Sequence, residues 1–166
     1  MTEPLRPSRD HHATVVVAST RASLGEREDT TGPVIAAWLG ERGFEVYGPV
    51  VVPDGEEVGA AIRSAVRRGD AVVLTTGGTG LTPSDRTPEE TRGALTFEIP
   101  GLANAIRAAG LPDVPTTVLS RGLAGVAGTS LVVNLPGSSG GVRDGLAVLD
   151  GVLSHALDQI RGGDHG

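Results

Sequence analysis

Short apolar runs rich in β-branched residues alternate with helical patterns along this chain. The run at 13–19 ("ATVVVAS") has no polar face, as expected of a strand buried on both sides. Residues 33–42 read as a helix, with Pro33 suited to its first turn and Gly43 just past its end. Residues 45–52 form the next predicted strand. A strong helix follows at 55–68, where Val58, Ala61, Ile62, Ala65 and Val66 fall on one continuous face. The third strand, 71–76 ("AVVLTT"), runs into a glycine loop. Thr87 then reads as an N-cap, with Pro88 at the first helical position and Glu90 closing a capping box. A helix at 101–109 and strand-like pieces at 116–119 and 130–135 come next. A last long helix at 142–160 is expected to bury Val142, Leu146, Leu149, Leu153, Ala156 and Ile160.

This alternation predicts an α/β fold: a three-layer α/β/α sandwich with a mainly parallel central sheet, built as one domain over 13–160. Residues 1–12 and 161–166 are expected to be disordered tails. Ligands in such sheets bind beyond the carboxyl ends of the strands. The segments to inspect are therefore 19–21, 53–54, 75–86 and 134–138.

Composition narrows the chemistry. The chain has 166 residues, enough for one domain with a substantial core. Its four aromatic residues (Trp38, Phe44, Tyr47 and Phe97) are too few for a base-stacking surface. A net charge of −6 argues against nucleic acid or an anionic membrane as partner. With no cysteine, thiol catalysis and thiolate metal sites are excluded. All 14 basic residues are arginines, which excludes Schiff-base chemistry and a P-loop lysine. His11, His12, His155 and His165 lie in tails or on a polar helix position, so they suggest no histidine catalyst. The polar start "MTEPLRPSRDHHA" lacks the apolar core of a signal peptide, and no run approaches a membrane span, so a cytoplasmic location is expected.

The loop "TTGGTGLTPSD" carries the clearest chemistry. Thr76, Gly77, Gly78, Thr79 and Gly80 follow a buried strand, and the glycines let backbone amides approach a phosphate. A tight turn with no ligand is the alternative, but three glycines beside Thr75, Thr76 and Thr79 favour anion binding. Asp85 lies just beyond, and because Thr87 is expected to cap the next helix, Asp85 is not needed there. A carboxylate beside a phosphate loop repels the ligand unless a divalent cation lies between them, and Mg²⁺ is the hard cation that both share. A solvated aspartate paired with Arg86 is equally compatible. Asp54 fits as a cap for the 55–68 helix, boxed with Glu57, and also as a second carboxylate at a strand end. Asn134, Pro136, Gly137 and Ser138 form a strand-to-helix turn that offers another anion site, or simply a helix entry capped by Ser138. Ser120 and Arg121 could hold a ligand's polar edge or start a loop.

Together "TTGGTGLTPSDRTPEET", "VPD", "IPGLANAIR", "LSRGLAGVAGTSLVVNLPGS" and "STRAS" followed by "DTTGP" resemble the Mog/MoaB family of molybdenum-cofactor biosynthesis proteins, which includes the gephyrin G domain. The resemblance runs from about residue 13 to 160. It implies a homotrimer that adenylylates molybdopterin: the terminal phosphate of the pterin attacks the α-phosphorus of Mg-ATP, and pyrophosphate leaves. It also implies delivery of the product to a molybdenum insertase. Within it, Asp54 and Asp85 match the aspartates associated with Mg²⁺ and catalysis. Gly77, Gly78, Thr79 and Gly80 match the phosphate-facing loop. Ser120 matches a serine of the pterin site, and Asn134, Pro136 and Gly137 match the turn near the ligand. Three positions depart from the family pattern: Thr20, where an aspartate is frequent, Gly110, where a serine is frequent, and Thr31 in place of serine. A non-catalytic pterin-binding paralogue, a generic nucleotide-binding module and an oligomeric scaffold are the alternatives.

Overall fold

The structure, a computed structural model, describes residues 9–163. Six strands form one sheet: β1 (His12–Ala18), β2 (Glu45–Val52), β3 (Val72–Thr76), β4 (Phe97–Glu98), β5 (Ala124–Ala127) and β6 (Ser130–Leu135). Their order is β2-β1-β3-β6-β5-β4. The first four in that order are mutually parallel, and β5 and β4 extend the sheet antiparallel. The helices are α1 (Thr20–Ser23), α2 (Thr31–Glu41), α3 (Glu56–Arg68), α4 (Thr87–Arg92), α5 (Pro100–Ala108), α6 (Ser139–Asp150) and α7 (Leu153–Ile160).

Side chains alternate across the pleat, so each central strand feeds two cores. Val15, Leu74 and Val133 are paired in register and join Ile35, Leu39, Leu146 and Leu149 on one face. Val73 and Val132, one residue earlier in their strands, join Val58, Ile62 and Ala65 of α3 on the other. The expected three-layer α/β/α sandwich with a mainly parallel sheet is therefore what the chain forms.

Several local expectations are corrected. The strand-like piece at 116–119 is a 3₁₀ helix, Pro115–Leu119, with Thr116, Val118 and Leu119 exposed. Its β-branched residues have no strand partner, and Pro115 opens a helical turn. The last helix breaks at Gly151 and Val152, where amide bonds from Gly151 to Val148 O and from Val152 to Leu149 O tighten the final turn of α6. Leu157 is buried in α7, while Ala156 and Ile160 are only partly buried. Of the expected N-terminal tail, residues 1–8 lie outside the described residues. Arg9–His11 form a 3₁₀ turn and His12 begins β1. Of the C-terminal tail, 161–163 are described and 164–166 lie outside.

Candidate functional site

Parallel register brings four strand ends to one edge. Ala18 of β1 pairs with Val52 of β2, Val17 with Thr76 of β3, and Thr76 with Leu135 of β6. The exits Ser19–Thr20, Pro53–Asp54, Gly77–Gly80 and Pro136–Ser138 are therefore neighbours. Ser19 caps α1 by accepting from the Ala22 amide at 3.1 Å, and Ser138 caps α6 by accepting from the Gly141 amide at 3.1 Å.

Gly77 and Gly78 have φ of +89° and +69°, where side chains are strained. A Cβ on Gly77 would also meet the Ala18 carbonyl, and one on Gly78 would meet the Thr87 hydroxyl and lie 3.1 Å from Asp54 Oδ1. The glycines thus have a steric reason to be there with or without a ligand. What favours a ligand is the donor count. Among the described residues the amides of Gly78, Thr79, Gly80, Gly137 and Ser138 donate to no protein acceptor. They surround the start of a three-turn helix, an arrangement suited to anions.

Neither aspartate caps a helix. The N-cap of α3 is Gly55 without a side-chain bond, so the expected Asp54–Glu57 capping box is absent. Asp54 Oδ2 instead accepts from the Thr20 hydroxyl at 3.1 Å and its amide at 3.4 Å, and the Asp54 amide donates to the Thr20 hydroxyl at 3.1 Å. The expected capping by Thr87 is also absent. Arg86 is the N-cap of α4, and Thr87 Oγ1 is buried without a partner. Asp85 folds back on its own loop, its Oδ2 accepting from the Thr82 amide at 3.0 Å and hydroxyl at 2.7 Å. That leaves Oδ1 of Asp54 and of Asp85 without a protein donor. Two hard carboxylate oxygens beside unpaired amides suit a divalent cation shared with phosphate. Among the described residues no cluster of three carboxylate or imidazole side chains forms a closed metal cage.

Two depressions, about 770 and about 840 Å³, open on this edge. Gly77, Gly78, Asp85, Gly137 and Ser138 line both and form the ridge between them. Thr79, Gly80, Ser120 and Pro136 line the first, while Asp54, Thr76, Thr20 and Asp29 line the second. Thr76 is nearly buried, its hydroxyl donating to Pro136 O at 2.7 Å.

Asn134 is the exception among the expected site residues. It is 3% exposed and lines neither depression. Its Oδ1 accepts from the Leu123 amide at 3.0 Å, and its Nδ2 donates to Thr75 and Thr91 hydroxyls at 2.9 and 3.0 Å. As a ligand contact it is therefore corrected: it supports the turn from behind.

Arg121 is likewise turned onto the protein. Its Nε and Nη2 donate to the carbonyls of Gly80 and Asp85, each at 2.9 Å, and Nη1 pairs with Glu89. Its amide also donates to Thr79 O at 2.8 Å. The hydrogen bond from Arg121 holds the Glu89 carboxyl below its ordinary pKa, against a weaker opposing effect of burial. Sequence reasoning missed this staple and the Thr20–Asp54 bonds, because both join segments far apart in the chain. It also missed the apolar wall of the first depression, Ile106, Val114 and Leu119.

Two carboxylates at the carboxyl edge of a parallel sheet, with free amides beside two depressions, suit the binding of phosphate-bearing small molecules. A family model described as "probable molybdopterin binding domain" matches residues 14–155, and the chain belongs to that family. It is 57% identical to the molybdopterin biosynthesis Mog protein of Mycobacterium ulcerans, with a TM-score of 0.88 covering 90% of this chain and 99% of that one. It is 36% identical to a molybdopterin adenylyltransferase of Pyrococcus furiosus over 89% of each chain. A molybdenum cofactor biosynthesis bifunctional protein of Synechococcus elongatus is 40% identical over 93% of this chain, which spans about half (49%) of that relative's length.

Proposed function

We propose that this chain is a molybdopterin adenylyltransferase acting in molybdenum cofactor biosynthesis. One observation carries the reading: the amide-lined ridge with Asp85 separates two depressions, so two phosphate-bearing substrates can meet end to end. Molybdopterin would occupy the first depression, beside Ser120, and ATP the second, beside Asp54 and Thr76. The terminal phosphate of molybdopterin attacks the α-phosphorus of ATP, the new phosphoanhydride forms, and pyrophosphate leaves with the bonding pair of the broken α–β bridge.

The chain supplies alignment and charge compensation for this in-line displacement, with no lysine or thiol for a covalent step. Amides of Gly78, Thr79 and Gly80 orient the phosphates, those of Gly137 and Ser138 meet them from the other side, and Arg121 fixes the loop. Mg²⁺ held by Asp54 and Asp85 would offset phosphate charge when bound. The same reading extends to a homotrimer in the cytoplasm that passes its product to a molybdenum insertase.

The test is Mg²⁺-dependent formation of adenylyl-molybdopterin from ATP and molybdopterin. Product with the wild type, and a loss of about two or more decades with Asp85→Asn or Asp54→Asn, is expected. Binding of molybdopterin without any product would make the chain a non-catalytic pterin-binding paralogue.

A further inference from the structure

We propose that Asp144 reads the pterin ring, accepting hydrogen bonds from its amidine edge. The inference rests on the adenylyltransferase reading and deepens it by naming what selects the heterocycle. Because the depressions share only the ridge, the phosphate of molybdopterin must lie at the ridge to meet ATP. The ring then falls in the part of the first depression that the second does not reach. Ile106, Val114 and Leu119 line that part and suit the faces of a flat heterocycle.

Faces alone do not distinguish one fused ring from another, so the edge must be read. The pterin pyrimidine presents N3–H and the 2-amino group side by side, two donors that a single carboxylate can accept together. Few groups in this depression are available for that task. The Thr117 hydroxyl donates to Arg107 O at 2.9 Å, and Ser138 is the cap of α6. Asp85 sits on the ridge, where phosphate belongs.

Asp144 remains. It lies in the second turn of α6, lines the first depression and not the second, and is half-buried. Among the described residues it has no hydrogen-bond or ion-pair partner. A carboxylate partly withdrawn from water beside apolar side chains is costly without donors. The amidine edge supplies two, and no sequence motif singled this residue out.

The experiment uses the full chain with Asp144→Asn, which keeps the side chain's shape but presents one acceptor and one donor. Molybdopterin affinity should fall about ten-fold or more, while Mg-ATP affinity measured by calorimetry stays within about two-fold. Competition by 6-carboxypterin and 6-carboxylumazine tests the edge itself. Lumazine carries a carbonyl in place of the 2-amino group, so the wild type should prefer the pterin and the variant should lose or invert that preference. If wild type binds molybdopterin and the variant keeps both its affinity and its pterin preference, Asp144 does not read the ring. If the wild type binds Mg-ATP but no molybdopterin, the adenylyltransferase reading falls and this assignment falls with it.

Discussion

Thr20 and Asp54 hold each other: the Thr20 hydroxyl donates to Asp54 Oδ2 at 3.1 Å while accepting from the Asp54 amide at 3.1 Å. The pair joins the exits of β1 and β2 and fixes which carboxylate oxygen is left over. Thr20→Val should therefore release Asp54 and lower kcat/KM for adenylylation by about one decade, with Thr20→Ser retaining most activity. Thr20→Asp, which sets another carboxylate beside Asp54, should lower the Mg²⁺ concentration needed for half-maximal rate. Equal rates for valine and threonine across a Mg²⁺ titration would remove Thr20 from the positioning of Asp54.

Gly78 in the loop and Gly140 in the first turn of α6 give a matched comparison of glycines. Gly78 has φ of +69° and a built Cβ would meet Thr87 Oγ1, whereas nothing lies within 4 Å of one on Gly140. Gly78→Ala should cost about 1–2 kcal/mol of stability from backbone strain alone, and more from the clash. Gly140→Ala should be close to neutral. Urea denaturation of both variants separates a sterically required glycine from one that merely keeps the helix start open.

Much of this architecture was legible in the chain because long periodic segments leave few choices. The face of α3, from Val58 to Val66, and the apolar runs of β1, β3 and β6 fixed the layers. β5 was missed because "AGVA" has little intrinsic strand propensity and is held as a strand by its pairing with β6. The capping roles expected of Asp54 and Thr87 follow sound local rules, yet neither forms. Asp54 is drawn off by Thr20, which lies 34 residues earlier. Local spacing shows which residues can cap; it does not show which distant hydroxyl will compete. The glycine loop and its aspartate were visible as a motif, whereas Arg121's role depends on three carbonyls and a carboxylate gathered by the fold.

Arg121 also ties the loop's stability to pH. The Glu89 carboxyl is held below its ordinary value of 4.5 chiefly by its hydrogen bond from Arg121. A folded-state pKa below the unfolded one contributes stability that is fully present above the unfolded value and is lost as pH falls through the folded one. The contribution should stay within about 1 kcal/mol, since the two side chains are 35% and 38% exposed. Arg121→Gln should therefore be less stable than wild type at pH 7, with the gap narrowing as pH drops below the ordinary glutamate range. A gap that stays constant down to pH 3 would place the effect in the carbonyl bonds to Gly80 and Asp85 alone.

Asn134 separates support from contact. All of its polar atoms are used inside the protein, and it is 3% exposed. Replacing it by alanine strands the Leu123 amide without its acceptor and the hydroxyls of Thr75 and Thr91 without a donor. Each buried group left unpaired costs about 1–3 kcal/mol, though the two hydroxyls can rotate toward other acceptors. Asn134→Ala should therefore lose about 2–4 kcal/mol in urea denaturation, with molybdopterin affinity falling only as far as the turn at Pro136–Ser138 shifts. Asn134→Asp should also be destabilised, because its carboxylate can accept from Leu123 but has no hydrogen to give the threonines when ionised. Unchanged stability in Asn134→Ala together with a loss of molybdopterin binding would mean that the side chain reaches the ligand after all.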